Sequence, residues 1–312
     1  MKKLLYVGLL LAFAAALCWP GVSSRPQSSD PILIGAGDIG DGLNLNLSGG
    51  MATAALIDTY PSALVFADGD LSHNNGTDGD FARAYEPTWG RFKNRTIPAI
   101  GNHEYNALNG AGYFNYFGPA AGDATKGYYS LNVGAWHVIV LNSGDMCYPV
   151  DCEAGSPQEV WLKNDLAANT RLCTLALFHE PLYTSVAAGQ GVAPNTGMQA
   201  MWQDLYDANI KPNAAKAKVD LVVNGHVHNY ERFAPQDANG NLDTANGIVQ
   251  ITAGTGGTSH FTFGTTPSVN SLVRDSTAFG VLKLTLHSSS YDWQFIPIAG
   301  QTFTDSGTQA CH

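Results

Sequence analysis

Positive charge is scarce in this chain, with 16 lysines and arginines against 26 aspartates and glutamates over 312 residues, a formal charge of −10. That deficit argues against a polyanion such as DNA as the main partner, because affinity for a phosphate backbone is built from clustered cations. Long apolar runs are also missing. The one such run, residues 4–17, follows Met1, Lys2 and Lys3; it is too short to span a bilayer as a mature helix and has the basic start and short apolar core of a signal peptide. Internal repeats and low-complexity linkers are absent too, so the remaining length reads as one large domain.

Cleavage near Ser24 would leave residues 1–24 as signal peptide and 25–312 as the mature domain, an exported protein that is secreted or periplasmic. Cys18 follows Leu17, where a lipoprotein signal wants a small residue, so a lipid-anchored start is disfavoured. Losing Lys2 and Lys3 sets 14 basic residues against 26 acidic ones, a charge of about −12. It also leaves four of the five cysteines, Cys147, Cys152, Cys173 and Cys311. An even number in an exported chain points to disulfides, and four cysteines allow three connectivities. The loop from Cys147 to Cys152 is the cheapest to close, which leaves Cys173 to hold the C-terminal tail through Cys311. Neither bridge reads as catalytic. Asn94-Arg95-Thr96 is a glycosylation acceptor only in a eukaryotic secretory host.

What the chain does have is an ordered set of five short segments, each read as ending a run of β-type residues. These are Gly37-Asp38-Ile39-Gly40, Gly69-Asp70-Leu71-Ser72-His73, Gly101-Asn102-His103-Glu104, Phe178-His179-Glu180-Pro181 and Gly225-His226-Val227-His228. Carboxylate, amide oxygen and imidazole form the ligand set of Zn, Fe or Mn, and two such ions sharing a carboxylate are suited to phosphoryl hydrolysis. Apolar strands are expected near residues 32–34, 63–66, 97–100, 136–141, 174–178 and 219–223, with helices over 51–58, 80–93 and 156–168 between them. The last helix has Ser156 as N-cap, Pro157 in the first turn and Glu159 three residues after the cap. Residues 248–252, 281–286 and 291–298 read as strands with Gly- or Ser-rich turns, giving an α/β sandwich finished by β hairpins. In this layout nearly every candidate ligand follows the C-terminal end of a strand, where open α/β sheets place their sites. Strand alternation would let His226 and His228 face one cleft while Val227 packs away from it.

These motifs, with Asn229-Tyr230-Glu231-Arg232 after the last and Trp161-Leu162 on the third helix, resemble the calcineurin-type metallophosphoesterases, and within them most closely the purple acid phosphatases. The resemblance runs from Ile32 to about Ile298. It implies a four-layer α/β/β/α sandwich with two mixed sheets, two metal ions, and hydrolysis of a small-molecule phosphate ester. Carried over by motif, Asp38 and His228 bind the first ion, Asn102, His179 and His226 the second, and Asp70 bridges them. His103 binds no metal and contacts the phosphate. Two departures stand out. His73 occupies the position three residues after the bridging Asp where the purple enzymes carry a colour-giving tyrosinate, which shifts the first site toward Zn or a ferrous-type ion. The stretch Val186-Ala187-Ala188-Gly189-Gln190-Gly191 lacks the histidine that helps the leaving group in plant and animal members.

Other residues have plainer readings. Asp68, Asp78 and Asp80 read as turn residues, His137 as a packed or hydrogen-bonded core histidine, and His260, His287 and His312 as structural. Tyr230, Glu231 and Arg232 are expected to orient the histidine loop. A phosphodiesterase acting on nucleotides or phospholipid headgroups would use the same core. A non-catalytic surface protein would show damage among the ligands, and a structural metal site would be closed and Cys-rich, unlike this O/N set.

Overall fold

The computed structural model describes residues 30–41, 46–73, 75–211 and 218–312. The signal-peptide reading falls outside them. Two mixed sheets face each other. One runs in the order Ser306–Ala310, Ser290–Pro297, Gly280–Leu286, Ile32–Ala36, Leu64–Asp68, Thr96–Ala99. Its last three strands are parallel and the others antiparallel, so the C-terminal hairpins extend it. The other runs Ser271–Asp275, Tyr230–Phe233, Val249–Ala253, Leu221–Asn224, Cys173–Leu177, Trp136–Val140, Tyr129–Val133, with a parallel centre of four strands.

Alternation along the strands feeds three cores. Leu33, Phe66, Val138, Leu175, Leu221, Ile251 and Leu282 fill the space between the sheets. Ile34 and Val65 point the other way, onto Ala54 and Ile57 of the helix Ser48–Asp58 and onto Trp89. Ile139, Ala176 and Val222 cover the far face with Leu162 and Leu166 of Pro157–Ala168 and Met201, Trp202 and Leu205 of Gln199–Ile210. This is the expected four-layer α/β/β/α arrangement. Ser156 caps its helix as expected, its side chain accepting from Glu159 N at 3.1 Å.

The single helix expected over 80–93 is instead broken. A short helix, Asp78–Asp80, capped by Thr77, leads into a widened turn at Phe81–Tyr85 and then a tighter one at Gly90–Arg95. Phe81, Tyr85 and Trp89 are all buried but stand four apart; a regular helix of 3.6 residues per turn would rotate each about 40° further round, and the wider turn keeps them on one face. The helix Gln199–Ile210 was not anticipated, because its N-cap, Met198, offers no side-chain cap. The edge strands Tyr129–Val133, Ser271–Asp275 and Ser306–Ala310 were likewise not anticipated; none carries a continuous buried run.

Both disulfides form as expected, Cys147–Cys152 and Cys173–Cys311, with Cα separations of 5.3 and 5.5 Å. The second joins the first residue of a strand in one sheet to the residue after the last strand of the other. None of the helices among the described residues is long and apolar enough to cross a membrane.

Candidate metal centre

At the C-terminal ends of the parallel strands the chain turns abruptly. Asp38 and Asp70 adopt positive φ, 59° and 52°, so each carboxylate swings back over the strand ends instead of continuing along the pleat. Two glycines make the close approach feasible. A Cβ on Gly101 would collide with Asp70, and Gly69, at φ +77°, passes against the His179 ring.

Two groups of donors result. Asp38 Oδ1 lies 3.2 Å from His228 Nε2 and 3.6 Å from His73 Nε2, while His73 Nε2 is also 3.5 Å from Asp70 Oδ2. In the second group, His179 Nε2 is 3.2 Å from Asp70 Oδ2 and 3.2 Å from Asn102 Oδ1, and His226 Nδ1 is 3.0 Å from Asn102 Oδ1. Donors about 2.1 Å from a common ion stand about 3.0 to 3.4 Å apart at the edges of an octahedron or tetrahedron, so these spacings suit metals. Both Asp38 oxygens and His73 Nε2 are buried and find no hydrogen-bond partner among the described residues. Orphaned acceptors of that kind are costly unless a cation occupies the space between them. The ligand atoms of Asp38, His73 and His228, and those of Asp70, His179 and His226, each converge within 4.8 Å.

The remaining hydrogen bonds orient these donors. His179 Nδ1 faces the main-chain oxygen of Asp68 at 2.8 Å and His228 Nδ1 that of Ser259 at 2.7 Å. A carbonyl only accepts, so both rings carry the proton on Nδ1 and turn Nε2, as acceptor, inward. Glu104 is fully buried and receives backbone N–H groups from Asp70, Leu71 and Gly101, each at 2.9 Å. It thereby ties the loop carrying Asp70 to the loop carrying Asn102 and His103. His103 donates its backbone N–H to Asp70 Oδ1 at 2.9 Å, and its ring, 32% exposed, lies 3.8 Å from Asp70 Oδ2 at the mouth of the site.

Charge follows geometry. Burial pulls the Asp38 carboxyl up, but the His228 and His73 imidazoles outweigh it and hold the group well below the usual range. Asp70 is lowered in the same way by His179 and His103. Burial lowers His73, and burial together with the charge on His179 takes His226 to about 3. Asp38 and Asp70 are therefore held ionised and His73 and His226 neutral, the protonation states that metals require. Against the pull of burial, the Asp70 and Asp38 carboxylates raise His179 well above its ordinary value, the charge a bound cation would displace. Burial, reinforced by Asp70, pushes Glu104 up to about 7 against the pull of its backbone donors.

All eight residues singled out from the sequence meet here. Some local expectations fail. His226 and His228 are not on a strand; the strand ends at Asn224, and His226 is left-handed at φ 65°. Val227 is nevertheless fully buried, and Val227 N bonds to the Gly225 carbonyl across a tight turn. Asp68 is no turn residue but the last of the strand Leu64–Asp68, buried, with neither carboxylate oxygen partnered among the described residues. Asp78 and Asp80 form the short capped helix rather than a turn. Tyr230, Glu231 and Arg232 lie on a strand and anchor to Asp305 and Ser185, not to the histidines. His137 is held between Asp165 and Asn132, as expected of a core histidine.

Glu104 closes the motif Gly101-Asn102-His103-Glu104, whose sequence carries no sign of its role. The Asp68 and Ser259 carbonyls and the Phe261 ring, stacked on His228, had no signal in the sequence, because each contact joins residues far apart in the chain.

A calcineurin-like phosphoesterase family profile matches residues 51–230. A probable purple acid phosphatase of Arabidopsis thaliana is 32% identical over 189 residues, 53% of this chain and 39% of that protein. Purple acid phosphatase 1 of Ipomoea batatas is 28% identical over 236 residues, 69% of this chain and 46% of its own length. The chain thus spans less than half the length of these relatives. Among solved structures, a purple acid phosphatase from yellow lupin (Lupinus luteus) seeds superposes with a TM-score of 0.67 at 22% identity, covering 91% of this chain and 54% of that one, which is a likeness of fold.

Proposed function

Because the chain belongs to the calcineurin-like phosphoesterase family, we propose that it hydrolyses phosphate monoesters at a two-metal centre. Asp38, His73 and His228 would hold the first ion and Asn102, His179 and His226 the second, with Asp70 within reach of both, as the spacing of their donor atoms supports. The observation that carries this reading is the position of Asp70 Oδ2, 3.5 Å from His73 Nε2 on one side and 3.2 Å from His179 Nε2 on the other. Two ions so held supply Lewis acidity that acidifies water and offsets charge on phosphoryl oxygens.

The protein's own part is positioning. Asp38 and Asp70 place negative charge where burial strengthens its attraction for cations. The Asp68 and Ser259 carbonyls fix which nitrogen of His179 and His228 faces inward. His103, at the mouth, donates a hydrogen bond to the phosphoryl oxygen whose charge grows in the transition state, a contribution of about a hundredfold or more in comparable sites. With His73 as a neutral ligand the first site favours zinc or a ferrous-type ion, and the protein is colourless. Residues 1–24 serve as an export signal ahead of a single domain over 25–312. The two disulfides support an oxidising destination, secreted or periplasmic.

The test is hydrolysis of p-nitrophenyl phosphate against its bis-ester by zinc-loaded protein, wild type and Asn102→Ala. The monoester is expected to be preferred, and Asn102→Ala to lose one ion and nearly all activity while staying folded. Full activity and metal content in that variant would sink the assignment.

A further inference from the structure

The two metal positions are not held alike. His179 is fully buried, and its Nδ1 proton goes to the carbonyl of Asp68, the last residue of a central strand hydrogen-bonded on both sides. His228 takes its restraints from a surface segment. Its Nδ1 donates to Ser259 O at 2.7 Å, its own carbonyl accepts from Phe261 N at 3.0 Å, and the Phe261 ring stacks flat on its imidazole, with centroids 4.1 Å apart and planes 11° from parallel. Ser259 is exposed and Phe261 half-buried. The segment reaches the rest of the fold partly through a second rim loop, with Ala187 N bonded to Thr262 O and Gly264 N to Ser185 O, each at 2.9 Å.

We propose that Phe261, with the Ser259 carbonyl, is a positioning element for His228, so that the hold on the first ion depends on the rim segment 259–264 while the second ion is locked to the sheet. The inference rests on the two-metal reading above. The carbonyl fixes the tautomer and one in-plane direction of the ring but leaves it free to tilt about that bond; the stacked phenyl face removes the tilt and keeps Nε2 aimed at Asp38 Oδ1, 3.2 Å away. Neighbours that orient a ligating histidine are worth about 10- to 100-fold in metal affinity when lost.

The experiment is a zinc titration in competition with a chromophoric chelator, paired with thermal melting of the metal-free protein to confirm folding. Wild type is expected to take up two ions. Phe261→Ala should keep one at wild-type affinity and bind the other about 10- to 100-fold more weakly, Phe261→Leu should fall between, and Phe261→Tyr, which retains the flat face, should match wild type. Two ions at wild-type affinity in folded Phe261→Ala, or equal weakening of both, would overturn the proposal. If the alanine variant does not fold, Phe261→Leu decides by the same criterion. A wild-type chain that binds a single ion refutes the two-metal reading and this inference with it, whereas undisturbed two-site binding in the variant refutes the inference alone.

Discussion

Removing the Glu104 carboxylate should loosen the fold and the metal centre together. Three backbone N–H groups, of Asp70, Leu71 and Gly101, donate to it at 2.9 Å in a fully buried place. In Glu104→Ala each loses its acceptor in a fully buried place, and a stranded buried donor costs about 1–3 kcal/mol. Three of them suggest about 3–9 kcal/mol, to which the small cavity adds. Against this stands the cost of burying the carboxylate itself, visible in its pKa of about 7, which the mutation relieves. A net loss of about 3–5 kcal/mol is expected, a large share of the ~5–15 kcal/mol that holds a typical domain. Glu104→Gln keeps one acceptor oxygen but turns an NH2 toward backbone donors, and should lose about 1–3 kcal/mol. Urea unfolding of the metal-free proteins measures this, and chelator competition should show both ions weakened in Glu104→Ala, since the loop bearing the shared Asp70 loses its tether. A Glu104→Ala protein within about 1 kcal/mol of wild type, with metal affinity unchanged, would refute the reasoning.

Two further predictions concern the bridge and the colour. Because Cys173–Cys311 closes a 138-residue separation and Cys147–Cys152 only 5, replacing the first pair with serine should cost about 5 kcal/mol and the second about 2 in the chain-entropy estimate; non-reducing thermal melts that rank them the other way would contradict it. His73→Tyr should create a visible charge-transfer band when loaded with ferric iron, a band the wild type lacks, and an iron-loaded variant as colourless as wild type would show that position 73 does not reach the metal.

The strands and the donors at their ends were legible because both are written locally. Apolar β-rich runs mark buried strands, and a Gly beside an Asp or His marks the turn where a side chain can double back. His226 and His228 reached the right place for a reason the alternation rule did not supply, since the chain has already left the strand at Asn224 and a left-handed residue reorients it. Contacts between distant segments were illegible. Glu104 serves Asp70 across 34 positions, and Ser259 serves His228 across 31; composition carries no trace of such a meeting. Asp68 misled for the opposite reason, as a residue type common in turns that here ends a strand.

Asp38, Asp70 and His226 together hold three of the seven positive-φ positions occupied by residues other than glycine among the described residues. Each carries a conformational cost of about 1–2 kcal/mol that glycine at the same position would escape. The metal-free chain is therefore less stable than a neighbouring sequence that no longer binds metal, and random substitution at these three sites would lead toward that sequence. A lineage released from binding metal would gain stability by taking the glycines. Two aspartates and a histidine stand there instead, three of the candidate metal ligands.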